Sequence, residues 1–259
     1  MRVLVTFAVA TEFAAWRRRH AFVRVPGMPV GREMAKCPVY LKALGETEIL
    51  VALTGIGAVR ARRATSYALQ TAPELCISSG LAGALKEMYS RGEVLAATQV
   101  AELMGKNVVR CDRALLERAA ACGAKLVERF LTSSNVVTSA AEKKVLGAQG
   151  DAVEMESAGV LAATSAANIP AVAIRVISDD AGQDLPVDFN RVLNAKGKLR
   201  PVRLLSSIAT EPAKLRELLQ LAGDSRKASA TLAEFLDRYI ADIVEHRNAH
   251  TAMAGAARV

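Results

Sequence analysis

Residues 151–180 constrain the fold more than any other part of the chain, because they place acidic residues at both ends of one predicted helix–strand unit. Residues 158–167 are rich in alanine, the best helix former, and acidic residues precede them, where a helix N-terminus favours negative charge. Asn168-Ile169-Pro170 ends this helix. The short apolar run 171–177 is typical of a strand buried on both faces of a parallel sheet. The stretch therefore predicts an α/β fold.

Arg175 is a charge inside that predicted strand, and a buried guanidinium requires a partner. Glu154 and Glu156 are the candidate partners. If one of them pairs with Arg175, the other and Asp179 face the same crevice, since ligands of open α/β sheets bind at the carboxyl ends of the strands. A purely structural ion pair explains Arg175 equally well.

The rest of the chain alternates predicted strands, turns of small residues and helices. The strands are predicted at residues 2–9, 49–53, 75–79, 94–100 and 126–131, and the helices near residues 14–20, 58–70, 113–122 and 139–146. Residues 54–58 (TGIGA) and 80–84 (GLAGA) predict turns, where glycines let backbone amides approach a ligand. This alternation predicts a single α/β domain with a mostly parallel central sheet flanked by helices.

The composition limits the chemistry that the chain can perform. Its three histidines lie in a basic segment (His20) and in a polar C-terminal segment (His246 and His250), so a histidine-dependent nucleophile has little support. The four cysteines show no metal-binding spacing. Acid–base chemistry must therefore come from carboxylates, and no metal is expected.

The net charge of +8 raises the question of an anionic partner. Aromatic residues make up only 4% of the chain and no nucleic-acid motif accompanies the charge, so nucleic acid is not expected as a partner. The candidates that remain for an anionic partner are a small molecule and a membrane surface. No apolar run reaches the roughly 18 residues of a membrane span, and the first residues lack a basic signal-peptide region, so we expect a cytoplasmic protein.

The segment after Asp180 changes character. Residues 201–247 predict two or three helices, VRLLSSIA, AKLRELLQLAG and ATLAEFLDRYIADIV. The last carries an apolar stripe of Leu232, Phe235, Leu236, Tyr239, Ile240 and Ile243. We expect the stripe to pack on the sheet or on a partner subunit, and the many basic residues nearby leave contact with an anionic membrane as the alternative. The predicted boundaries are a core at 1–182, a C-terminal helical extension at 183–247 and a disordered tail at 248–259.

Four motifs occur in a fixed order along the chain: TGIGAVRA (54–61), SGLAGAL (79–85), VEMESAG (153–159) and RVISDDA (175–181). Together with Glu12 they resemble the purine nucleoside phosphorylase and methylthioadenosine/S-adenosylhomocysteine nucleosidase superfamily, over about residues 1–182. The resemblance implies a nucleoside phosphorylase-like fold, an enzyme that cleaves the N-ribosidic bond of a purine nucleoside, and a homo-oligomer in which a neighbour completes the site.

The resemblance also implies roles for particular residues. Asp179 matches the general acid that protonates the leaving purine at N7, Glu156 the carboxylate that binds the ribose hydroxyls, and Glu12 the acid that activates water. The alternative for Glu12 is a first-turn helix acid. Carboxylates suit a reaction that passes through an oxocarbenium-like sugar. Further substrate-binding residues are expected at Met155, Glu154, Val153, Val137, Gly80, Leu81, Ala82, Gly57 and Ile56.

The chain departs from better-known members of this superfamily at four places, one of which is Ser78, where some relatives have arginine. Val136 and Val137 stand where the nucleosidases place an aromatic residue beside the base, and Leu81 stands where phosphate-binding relatives have serine. The segment between Val100 and Arg113 is short and has no aromatic lid. No cofactor is expected. Because of these departures, the sequence does not decide whether phosphate is a co-substrate or whether the substrate is of the methylthioadenosine type.

The hopanoid-associated phosphorylases share these departures, and the chain is similar to them also in its leucine-rich segment near residues 216–223. That similarity implies release of adenine from adenosylhopane, a lipid-linked nucleoside. The missing aromatic residues and the basic C-terminal segment suit such a substrate, and peripheral contact with the inner membrane face is the alternative to a purely cytoplasmic location. The alternative is a soluble methylthioadenosine/S-adenosylhomocysteine-type nucleosidase or a purine nucleoside phosphorylase. A non-catalytic nucleoside-binding protein is an alternative from a different class.

Overall fold

The computed structural model describes residues 1–25, 37–103, 105, 107–192 and 213–256. Within these ranges ten strands form one sheet. The strands are β1 (Arg2–Phe7), β2 (Val23–Arg24), β3 (Val39–Leu44), β4 (Thr47–Leu53), β5 (Leu75–Ala84), β6 (Val94–Glu102), β7 (Val108–Arg110), β8 (Lys125–Thr132), β9 (Ala152–Glu154) and β10 (Ala171–Asp179). The described helices are α1 (Ala10–Arg19), α2 (Ala58–Ala68), α3 (Arg113–Ala121), α4 (Ala140–Leu146), α5 (Ser157–Ala166), α6 (Phe189–Val192) and α7 (Ala213–Ala256).

The sheet has a parallel centre and antiparallel outer strands. Parallel pairs join β1 to β4 and β5, β5 to β10, β6 to β8, and β8 to β9. Antiparallel pairs add β2, β3 and β7 at the periphery, and they also join β5 to β9 and β6 to β10. The strands β5, β9, β8, β6 and β10 thereby close into a ring. The predicted α/β fold is confirmed.

The apolar sequence of the central strands explains why helices cover the sheet. In β1, Val3, Leu4 and Val5 are fully buried, as expected of a strand with both faces covered. On one side α2 packs against α5 so closely that a Cβ at Gly159 would lie 2.0 Å from the carbonyl oxygen of Ala58. Only glycine fits at this helix contact.

The predicted turn at 80–84 is wrong, because these residues continue β5 to Ala84. Their small size indicates a close approach of neighbouring groups instead of a turn. A Cβ at Gly80 would lie 3.0 Å from Oε1 of Glu12, and a Cβ at Gly83 would lie 2.8 Å from Oδ2 of Asp179. The glycines of this strand make room for two carboxylates.

The C-terminal segment forms one continuous helix, α7, where two separate helices are predicted; VRLLSSIA lies outside the described residues. Gly223 does not interrupt α7, since glycine inside a helix costs only about 1 kcal/mol relative to alanine and packing offsets this. The backbone of residues 248–256 continues the same helix. Alanine, which is frequent in these residues, favours helix. The predicted boundaries of the core, the extension and the tail stay predictions.

The apolar stripe of α7 packs on the core and not on a membrane. Its members Leu232, Phe235, Leu236, Tyr239, Ile240 and Ile243 are all buried, and α7 contacts α1, α3, β5 and β10. Asp237 fixes this contact by accepting a hydrogen bond from Nε1 of Trp16 at 2.7 Å and one from Nε of Arg19 at 3.1 Å. None of the helices within the described ranges combines the length and the apolar character that crossing a bilayer requires.

We expect Phe235→Ala to destabilise the protein by about 3–5 kcal/mol, because it removes a fully buried ring and leaves a cavity between α7 and the sheet. Urea unfolding followed by circular dichroism measures the change. Leu219→Ala on the same helix is the control, since Leu219 is 67% exposed and its truncation should change the free energy of unfolding by less than about 0.5 kcal/mol. Equal effects of the two substitutions would contradict this packing.

Candidate active site

A pocket of about 200 Å³ lies where several strands end at the carboxyl edge of the sheet. It is lined by Ala8, Val9, Glu12, Ile56, Leu81, Gly83, Asn135, Val136, Val137, Val153, Glu154, Met155, Glu156, Asp179 and Leu185. A larger hollow of about 660 Å³ lies beside α2 and α5, and Glu102 is the one acidic residue in the part of its lining that the structure describes. The smaller pocket, with four carboxylates, is therefore the candidate site.

Asp179 reaches the pocket through an irregularity in β10. The pairing of β10 with β5 shifts register between Ile177 and Asp179, and such a bulge re-aims the side chain that follows it. The Asp179 carboxylate accepts a hydrogen bond from Oγ of Ser178 at 2.7 Å and forms an ion pair with Lys143 at 2.6 Å. The neighbouring Asp180 carboxylate instead pairs with Arg91, 2.7 Å away.

Glu12 is both a first-turn helix acid and a pocket residue, so the two interpretations of it are compatible. Its carboxylate accepts hydrogen bonds from the backbone N–H groups of Ala8 at 3.1 Å and Val9 at 3.3 Å, which precede α1. It also accepts one from the N–H of Leu81 at 3.1 Å. Burial raises the pKa of Glu12, while these hydrogen bonds and the charge of Arg175 oppose the increase.

Glu154 is the partner of Arg175. The two side chains are each 1% exposed, and Nη2 of Arg175 lies 2.6 Å from Oε2 of Glu154. The same glutamate accepts hydrogen bonds from the N–H groups of Glu156 at 2.9 Å and Ser157 at 2.7 Å, and from the hydroxyl of Thr132. These contacts leave Glu156 as the glutamate without a salt bridge to Arg175.

Glu156 stands at the start of α5 and accepts a hydrogen bond at 2.9 Å from the N–H of Gly57, which precedes α2. Gly57 adopts φ 100°, a conformation that favours glycine, and this turn brings its amide to the carboxylate. Burial raises the pKa of Glu156 to about 8, and the nearby charges of Glu154 and Glu12 contribute to the increase.

The remaining predicted site residues fall into two groups. Met155, Val153, Val137, Leu81 and Ile56 line the pocket beside the carboxylates. Gly57, Gly80 and Ala82 lie behind that lining: Gly57 and Gly80 adjoin Glu156 and Glu12, and the carbonyl oxygen of Ala82 accepts a hydrogen bond from Ser178 at 3.3 Å. The roles of all these residues in binding and catalysis stay predictions.

The sequence analysis missed Lys143, which contacts Asp179 from α4. The spacing of three residues places Lys143 on the same face of α4 as Leu146, but only the structure shows that this face is buried. It also missed Leu185 and Asn190, which follow β10 in sequence. Leu185 lines the pocket, and Asn190 exchanges two hydrogen bonds, at 2.8 and 2.9 Å, with the backbone of Val136.

A sheet with a parallel centre and acid–base residues gathered at its carboxyl edge defines the class of an α/β enzyme that acts on a small molecule. More particularly, the chain belongs to the phosphorylase superfamily, whose family model matches residues 2–209. The superfamily predicted from the four motifs, and with it an enzyme, is thereby confirmed. The predicted closeness to the hopanoid-associated branch stays a prediction.

Curated relatives include two 5'-methylthioadenosine/S-adenosylhomocysteine nucleosidases. The protein of Anoxybacillus flavithermus is 25% identical over 203 residues, which cover 69% of this chain and 87% of the relative. The protein of Glaesserella parasuis is 28% identical over 185 residues, which cover 62% of this chain and 80% of the relative.

Solved structures share the fold over nearly the whole chain. The futalosine hydrolase of Helicobacter pylori superimposes with a TM-score of 0.71 at 18% identity, covering 93% of this chain and 98% of that one. A mutant nucleosidase of the same organism, with 5'-methylthioadenosine in its active site, gives a TM-score of 0.69 at 18% identity with the same coverage. At sequence identities this low, the structural similarity shows a shared fold and nothing more specific.

We expect the stability of the protein to fall as pH rises from about 5 to about 8.5, and Glu156→Gln to reduce this dependence. An acid whose pKa increases from 4.5 to about 8 on folding holds its proton more tightly in the folded chain. Its contribution is therefore complete below pH 4.5 and lost as the pH rises through about 8. Urea midpoints at the two pH values measure the effect, with the exposed Glu142→Gln as the control. Identical pH dependence of stability in wild type and Glu156→Gln would refute the raised pKa of Glu156.

Proposed function

We propose that this protein cleaves the N-ribosidic bond of a purine nucleoside, with Asp179 as the general acid, Glu156 on the ribose and Glu12 as the base for the nucleophile. The observation that carries the proposal is the convergence of these three carboxylates on one pocket in three different environments. Asp179 pairs with a lysine, Glu12 accepts backbone amides, and Glu156 is held close to two other glutamates. Carboxyl groups in different environments differ in how readily they hold a proton, so they are suited to different roles in one reaction.

In the proposed reaction, the carboxyl group of Asp179 transfers its proton to N7 of the purine while the bond between N9 and C1' breaks. The bonding electrons leave with the base. Positive charge develops on the ribose ring, and the surrounding carboxylates stabilise it. The nucleophile adds to C1', and Glu12 takes its proton. The raised pKa of Glu12 favours this step, since a stronger base accepts the proton more readily.

Water is the proposed nucleophile in preference to phosphate. The amides of Ala8, Val9 and Leu81, which are suited to binding an anion, already donate to the carboxylate of Glu12. A phosphate at this position would meet the negative charge of Glu12 instead of free N–H groups. The proposed reaction needs no metal or cofactor, and it agrees with the nucleosidases among the curated relatives.

Adenosylhopane, with adenine as the leaving base, is the proposed substrate. Aliphatic side chains support a lipid-linked nucleoside: Val136, Val137 and Leu185 line the pocket, and its described lining contains no aromatic side chain. The first turns of α7 expose Leu215 and Leu219 beside the basic Lys214 and Arg216. Such a surface is suited to peripheral contact with an anionic membrane.

We expect Asp179→Asn to lower the turnover number of the folded variant by about 10²–10⁴-fold, because asparagine has a similar shape but cannot donate the proton. The substitution also removes the carboxylate that pairs with the buried Lys143, so circular dichroism checks that the variant is folded. Release of free adenine, measured by chromatography, reports turnover. Asp180→Asn is the matched control, since the Asp180 carboxylate pairs with Arg91 and not with the pocket. Full activity of folded Asp179→Asn would remove Asp179 from the mechanism.

We expect adenine release from adenosylhopane in lipid vesicles to exceed release from methylthioadenosine, and phosphate to leave both rates unchanged. The aliphatic pocket favours the lipid nucleoside, and the position of Glu12 favours water. One assay with both substrates, each with and without phosphate, measures this. A preference for methylthioadenosine would replace the lipid substrate with the soluble one, and a strict need for phosphate would replace hydrolysis with phosphorolysis.

A further inference from the structure

Lys143 is a buried cation at the acid end of the pocket. Its side chain is 0% exposed, and its ammonium group lies 2.6 Å from Oδ2 of Asp179. The same nitrogen donates to the carbonyl oxygens of Asp180 at 2.8 Å and Gln183 at 3.1 Å. An ammonium group has three protons to donate, and these three acceptors use all of them.

This arrangement connects two separate parts of the chain. Lys143 belongs to α4, whereas its three acceptors lie at the end of β10 and in the segment that follows. Burying a lysine without a partner is costly, so the ammonium group stays beside its three acceptors. The same contacts fix the position of those acceptors. The pairing fixes one oxygen of Asp179, while Ser178 donates to the other at 2.7 Å.

We infer that Lys143 is a positioning residue for the general acid: it orients the carboxyl group of Asp179 toward the leaving base and stabilises the carboxylate that proton transfer creates. This inference rests on the proposed function. When Asp179 gives its proton to the base, the glycosidic electrons move to the base and a negative charge forms on Asp179. The ammonium group of Lys143 already lies beside that charge and keeps its own three protons.

The other charged groups near Asp179 do not supply this function. Glu12 from α1, Glu154 from β9 and Glu156 at the start of α5 line the same pocket and are all acidic. Arg91 pairs with Asp180 at 2.7 Å and with Asp224 of α7 at 2.6 Å. Among the described residues, Lys143 is the cation in direct contact with the Asp179 carboxylate.

The test compares Lys143→Met, which removes the charge at similar volume, with Lys143→Arg, which keeps it. For Lys143→Met we expect kcat/KM to fall by about 10²-fold, chiefly through kcat, because the acid loses its orientation. We also expect the pH above which kcat/KM declines to rise, since a cation no longer favours the carboxylate form. Lys143→Arg should keep that pH near its wild-type position even where kcat is lower.

Lys144→Met is the matched control, because Lys144 is the next residue on α4 and is exposed. It should leave kcat, KM and the pH profile unchanged. A folded Lys143→Met variant with the wild-type pH profile overturns the inference. In that case a loss of activity in Asp179→Asn would leave the proposed function intact, so failure of the inference and failure of the proposed function are separable.

Removing Lys143 alone leaves a buried carboxylate without its cation, and the variant is at risk of unfolding. The double variant Lys143→Met with Asp179→Asn removes both charges together and avoids this. If Lys143 acts through Asp179, the residual turnover of the double variant equals that of Asp179→Asn alone. A further loss of about tenfold or more in the folded double variant overturns the inference.

Discussion

The buried ion pair between Arg175 and Glu154 is the interaction on which the site depends. Two charges that are each 1% exposed are tolerated because they lie 2.6 Å apart and because Glu154 also accepts the amides at the start of α5. The pair joins β10 to the β9–α5 turn. It thereby determines that Glu154 supports the structure while Glu156 stays available to the pocket. Removing either partner would leave an uncompensated charge inside the protein.

Small residues in β5 serve packing and chemistry together. Because Gly80 and Gly83 carry no side chain, the carboxylates of Glu12 and Asp179 lie directly against the strand. The same strand provides the Leu81 amide to Glu12. A larger residue at Gly83 would displace the Asp179 carboxylate, and one at Gly80 would add backbone strain, because Gly80 has a φ of 155°, to its close approach to Glu12. This strand therefore sets the separation between the proposed base and the proposed acid.

The distant C-terminal helix contributes to the same arrangement. Helix α7 packs on α1, and Asp237 accepts hydrogen bonds from Trp16 and Arg19 of that helix. Since Glu12 lies in the first turn of α1, the position of the proposed base depends on how α1 is held against the sheet. Arg91 provides a second connection, because it pairs with both Asp180 and Asp224. Site and C-terminal helix thus form one structural unit.

The sequence by itself determined the α/β alternation and the superfamily, because these depend on local periodicity and short motifs. It also singled out Glu12, Glu156 and Asp179, which line one pocket in the structure. Only the tertiary structure decided which glutamate pairs with Arg175, that residues 80–84 extend a strand, and that α7 is continuous. It alone brought Lys143 to Asp179. The physical reason is that ion pairs and close packing join residues that are far apart in sequence, and local propensity carries no information about such neighbours.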